Sequence, residues 1–124
     1  AALGGRALYL PCGAAAAIDH TYIDDLVDGV IKALDHEEHP YDAYHIASGE
    51  APTVAEMVSI VRDLVPGADL SVGQGPLLVN ETFEVPRKAA LDCSRAARVF
   101  GYVPCFNLRA GLAATLAVER ARRP

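Results

Sequence analysis

The side chains of this 124-residue chain that could carry chemistry are five tyrosines, four histidines, three cysteines and the basic pair Arg87-Lys88. A tyrosine acts as a general base when a neighbouring cation lowers its pKa. Tyr9, Tyr22, Tyr41, Tyr44 and Tyr102 all lack a lysine four residues later. A dinucleotide site needs G-x-G-x-x-G between a strand and a helix, so that backbone can approach the pyrophosphate. The nearest string, Gly73-Gln74-Gly75-Pro76, has a proline and lacks the third glycine, and it reads as a turn. Cys12 with His20 or His45 would be the nucleophile and base of a hydrolase, but no oxyanion turn or orienting asparagine accompanies them. His36 and His39 flank Glu37 and Glu38, yet zinc requires a further ligand and a dry shell, so this stretch reads as a solvated helix end. Arg87 is different in kind, because a guanidinium makes forked bonds to a phosphate and Lys88 adds charge beside it.

These groups must be held by elements that the hydrophobic pattern outlines. Residues 6–10 read as a strand, followed by a loop hinged at Gly13. Ile23, Leu26, Val27, Val30, Ile31 and Leu34 recur at helical spacing and predict a helix with one buried stripe. Asp24, Asp25 and Asp28 lie in its first turns, where they favour the exposed amide ends. Residues 44–47 alternate as a strand. Thr53 and Glu56 form a capping box before a second helix, which ends at Pro66-Gly67. A strand is expected at 69–73, then a long connection through Pro76 and Pro86, the natural place for a ligand contact. Ser94 is read as the cap of a short helix closed by left-handed Gly101, and Asn107 as the cap of the last one. Gly111 inside that last helix predicts a close packing contact.

Composition bounds the rest. The net charge of −5 argues against nucleic acid as a partner, because phosphate binding relies on clustered cations, and the basic clusters at 87–98 and 120–123 are short. The apolar fraction is 52% but rich in alanine, so one domain with a thin core is expected, marginally stable without a partner. Three cysteines cannot all pair within the chain and read as reduced thiols of a cytoplasmic protein. The apolar start is too short and interrupted to span a bilayer, and no membrane association is expected.

Three segments in order carry a family resemblance. Residues 19–34, DHTYIDDLVDGVIKAL, resemble the segment after the sugar-binding insertion in extended short-chain dehydrogenases, the NAD-dependent epimerase/dehydratase family that remodels nucleotide sugars. Residues 44–65, YHIASGEAPTVAEMVSIVRDLV, look like that family's Tyr-Asn-Ile-Gly-Ser-Gly strand and helix. Residues 91–119 look like its closing Asp-x-Ser-Lys-Ala, Leu-Gly-Trp-x-Pro and Leu-x-x-Gly-Leu tail.

The resemblance implies an α/β fold, the C-terminal portion of a Rossmann-type enzyme with about four helices and three or four short strands. Residues 1–124 would form one substrate-binding region, with the Gly-rich turn and the Tyr-x-x-x-Lys pair in an N-terminal part. This chain alone would then hold no catalytic residue, cofactor-binding residue or metal ligand, and would be inactive without NAD or NADP bound elsewhere in the complete enzyme. The resemblance places substrate contacts at Arg87 and Lys88, before the Asp-x-Ser-Lys motif, and at His20 and Tyr22 in the Asp-Phe-x-Tyr-Val motif. Ile18 occupies the position of a second phosphate-binding arginine and removes that contact. The implied partners are a nucleotide sugar and the N-terminal Rossmann part, with self-association through the apolar helix faces at 23–36 and 108–120 as the outcome in its absence. An orphaned lobe kept for binding or docking is the alternative.

Overall fold

The structure, a computed structural model, describes residues 1–78, 80, 83–86 and 88–122. After a short 3-10 turn at Ala2–Gly4, the elements run β1 (Leu8–Leu10), α1 (Ile23–Asp35), α2 (Val54–Leu64), β2 (Leu70–Val72), α3 (Ser94–Phe100) and α4 (Leu108–Ala121). The two strands pair in parallel, with Leu8 opposite Leu70 and Leu10 opposite Val72. A parallel pair demands a long crossover, which is supplied by the stretch containing α1 and α2.

The α/β class and the four α-helices agree with expectation, but only two strands form among the described residues. The alternating stretch at 44–47 joins no ladder. Its alternation has another cause: Tyr44 and Ile46 turn inward against the cluster of Ala96, Phe100 and Tyr102, while His45 is exposed. Period-two burial therefore arises here from packing on helices, without a neighbouring strand.

Local capping follows the sequence closely. Thr53 Oγ1 accepts from the amide of Glu56 at 3.2 Å, and the Glu56 carboxylate accepts from the amide of Thr53 at 2.7 Å. Asn107 Oδ1 accepts from the amide of Ala110 at 2.9 Å. Gly101, at φ 68°, closes α3. Ser94 is not a cap. It is the first helical residue, and Asp92 Oδ1 accepts its amide at 2.9 Å.

The predicted stripe on α1 is present and faces outward. Ile23, Val27, Ile31 and Leu34 are 58%, 47%, 52% and 79% exposed, whereas the buried residues of the helix are Asp25 and Gly29. Gly29 faces inward because a Cβ there would overlap the side chain of Ile46 and meet the ring of Tyr102 at 2.9 Å. The core is thin: its buried apolar residues are Ala14, Ala47, Val54, Ala96, Phe100 and Tyr102. Among the described residues no helix is long and apolar enough to cross a membrane.

Candidate functional site

The N-terminus of α2 builds the first wall of the site. Free amides at a helix start require acceptors, and here the amides of Val54 and Ala55 donate to the carbonyls of Ala16 and Ala14 at 2.9 and 3.0 Å. On its other side the same stretch is held by Gly13 and Ala14, whose amides donate to Gly75 and Gly73. Residues 15–18 thereby line a cavity of about 600 Å³, together with Ala51 and the stretches 75–77 and 84–86. A hairpin contact, Val85 amide to Leu77 carbonyl at 2.7 Å, sets the facing wall.

Lys88 and Glu84 are the two ionisable side chains among the described lining residues, and Ile18 stands in the apolar wall. Of the four residues expected to bind substrate, only Lys88 lines this cavity. Arg87 lies outside the described residues. His20 and Tyr22 instead line a smaller cavity of about 140 Å³ between the 20–22 stretch, α2 and α4. Tyr22 stacks on Phe106 with ring centroids 4.4 Å apart, and a Cβ on Gly111 would approach its ring at 3.3 Å. The close contact expected at Gly111 is therefore with Tyr22.

Two aspartates that the sequence did not single out as site residues organise these walls. Asp19 lies between Ile18 and His20, and its carboxylate accepts the amide and hydroxyl of Ser48 at 3.0 and 2.6 Å, the amide of Gly49 at 3.1 Å and the amide of Leu91 at 3.0 Å. Asp25, read from the sequence as a helix-stabilising acid, is buried and accepts the amides of Cys105 and Phe106 at 2.8 and 3.0 Å. It clamps the chain that carries Phe106 to Tyr22. An aspartate directly before an aromatic motif, with a Ser-Gly turn downstream, was the available signal for Asp19.

Burial alone would raise the Asp19 pKa, but the hydrogen bonds from Ser48, Leu91 and Gly49 outweigh it and hold the carboxyl below its ordinary value. A depressed carboxylate stabilises the folded state above its unfolded pKa, and that contribution vanishes as pH falls through the folded value. Urea midpoints are accordingly expected to fall as pH drops below about 4, the ordinary carboxylate range, and Asp19→Asn should flatten part of that fall. An unchanged pH slope in the variant would refute the assignment. Asp92, held low mainly by the amide of Ser94, and Glu56, held low by Thr53, contribute in the same direction.

Two groups with the chemistry of a nucleophile or base are shifted away from activation. Burial pushes the Cys93 thiol up. Tyr102, whose hydroxyl donates to the carbonyl of Ala47 at 2.8 Å, is pushed up to about 12 by burial and by the nearby charge of Asp25. A tyrosine base needs the opposite shift. His45 Nδ1 lies 3.2 Å from the carbonyl of Asp92, and His39 stacks edge-on with Tyr44.

No protein-family profile matches the chain. Among curated proteins, UDP-glucuronic acid decarboxylase 3 of Arabidopsis thaliana is 29% identical over 112 residues, covering 90% of this chain and 30% of that protein. Among solved structures, MoeE5 in complex with UDP-glucuronic acid and NAD superposes with a TM-score of 0.81 at 21% identity, over 98% of this chain and 39% of its own. A partial-consensus L-threonine 3-dehydrogenase gives 0.77 at 21% identity, over 97% and 39%. Nucleotide-sugar epimerases and dehydratases share the same likeness. The chain spans about a third of the length of these proteins. It carries the fold of part of an NAD-dependent epimerase/dehydratase of the extended short-chain dehydrogenase type.

Proposed function

We propose that this chain is the C-terminal, substrate-side lobe of an NAD-dependent enzyme that epimerises, dehydrates or decarboxylates a nucleotide sugar, and that the 600 Å³ cavity receives the ligand. The observation that carries this reading is the cavity itself: an apolar wall at 15–18 faces a stretch presenting Lys88, and Arg87 precedes it in sequence. Apolar walls with a few placed charges suit a ligand with a planar or apolar body and a charged linker. The phosphate-binding charge then comes from Arg87 and Lys88. Tyr22, packed on Phe106 and Gly111, seals the joint between the 20–22 stretch and α4, with His20 beside it.

NAD, bound by another part of the enzyme, supplies the hydride acceptor. This chain's contribution is to bind and orient the sugar nucleotide. The outward stripe of α1 supports a docked partner, since an apolar face of this extent is normally covered, and the N-terminal Rossmann part is the partner proposed.

Calorimetric titration with UDP-glucuronic acid tests the reading. Charge-assisted bonds contribute about 1.5–3 kcal/mol, so Arg87→Ala and Lys88→Ala should each weaken binding by about 10-fold or more. Unaltered affinity in both variants would leave the diphosphate without a ligand and remove the proposal. The apolar side chain of Ile18 favours a second reading, a ligand that lacks a diphosphate. Ile18→Arg separates the two: it should strengthen UDP-glucuronic acid binding under the first and have no benefit under the second.

A further inference from the structure

We propose that Asp19 is the positioning residue of the large cavity: its carboxylate holds together three of the chain segments that wall it. The two oxygens divide the contacts. Oδ1 takes the amide and hydroxyl of Ser48, while Oδ2 takes the amides of Gly49 and Leu91. These donors lie 29, 30 and 72 residues away in sequence. Each borders a lining residue, because Ile18 precedes Asp19, Ala51 follows Gly49 by two positions and Ala89 precedes Leu91 by two.

The third segment depends on this contact most. Among the described residues, the amide of Leu91 makes the one hydrogen bond that ties the stretch 88–91 to the walls at 15–18 and 51. Lys88 sits on that stretch, so its place in the cavity is set by Asp19 at a distance of three residues along the chain. Four donors converging on one side chain need a group that only accepts, which an ionised carboxylate is and an amide is not. Asparagine would present its NH₂ to at least one of the three backbone amides and lose that bond. Asp25 uses the same chemistry on the amides of Cys105 and Phe106, away from the large cavity, which makes it a matched control.

The inference rests on the function proposed above only for the identity of the ligand. Asp19→Asn, Asp25→Asn and Ser48→Ala in this chain are to be compared by amide hydrogen exchange, urea denaturation and titration with UDP-glucuronic acid. Asp19→Asn should speed exchange at residues 48–49 and 88–91 with α4 unchanged, and weaken binding by about 10-fold or more. Asp25→Asn should lower the urea midpoint and leave exchange at 88–91 unchanged, since it removes no hydrogen bond to that stretch. Ser48→Ala keeps all three backbone donors and should give a smaller change than Asp19→Asn. Unchanged exchange at 88–91 in Asp19→Asn overturns the proposal, as does an affinity that merely tracks stability in all three variants. If the unsubstituted chain takes up no UDP-glucuronic acid, the proposed function fails, while the exchange pattern still decides the role of Asp19.

Discussion

Purified without a partner, the chain is expected to self-associate through α1, and Ile31→Asp to render it monomeric with its helix content intact. Ile31 is 52% exposed, with Val27 and Leu34 at 47% and 79% on the same face, so substitution there removes little internal packing. Covering an isoleucine contributes about 1.5–3 kcal/mol, and a carboxylate placed in the covered face adds a desolvation penalty. In a two-fold pair each substitution counts twice, which brings the expected loss to roughly a thousand-fold in dimerisation. Sedimentation velocity over a concentration series reads this directly, with circular dichroism confirming the fold. A monomeric parent chain would refute self-association through the stripe, and a variant that loses its helices would show that the lobe itself depends on Ile31. In the complete enzyme proposed here, the same substitution should detach the lobe from the NAD-binding part.

Tyr102 carries the largest expected loss of stability. It is 1% exposed, the largest fully buried side chain among the described residues, and it joins α1 and α3 by packing on Gly29 and on the cluster with Ala96 and Phe100. Truncating a buried aromatic to alanine costs about 3–5 kcal/mol, a large part of what a domain of this size has in hand. Tyr102→Ala should therefore abolish the cooperative urea transition or move it close to zero denaturant. Tyr102→Phe keeps the ring and removes only the hydrogen bond to the Ala47 carbonyl, which retains the weaker Cys93 thiol donor at 3.6 Å, for a cost of about 1 kcal/mol. Equal losses in the two variants would mean that the ring is not the centre of the core.

What could be read from the residues was whatever depends on near neighbours. Thr53 with Glu56, Asn107 and Gly101 act within a few positions of themselves, so their capping roles follow from short-range geometry, and the helices appear where the caps and apolar spacing put them. The reading erred where one local pattern served two causes. Residues 44–47 alternate because they pack on α3 and Tyr102, and Asp92 rather than Ser94 takes the first free amide of α3. Of the residues grouped as substrate contacts by the resemblance, Lys88 lines the large cavity, whereas His20 and Tyr22 line the small one. Residues 15–18 line the large cavity and residues 20–22 the small one, a division set by which distant chain packs on each part of the stretch.

Composition and motif order specified an α/β chain with a small alanine-rich core and four helices. Such properties are carried by residue types and short spacings, and they survive in the unfolded chain. The outward turn of the α1 stripe, the convergence of three segments on Asp19 and the clamp at Asp25 exist only once residues up to 81 apart are brought together. Residue type alone does not separate a solvated aspartate from one gathering several backbone amides. That distinction is made by which donors the fold leaves without another acceptor.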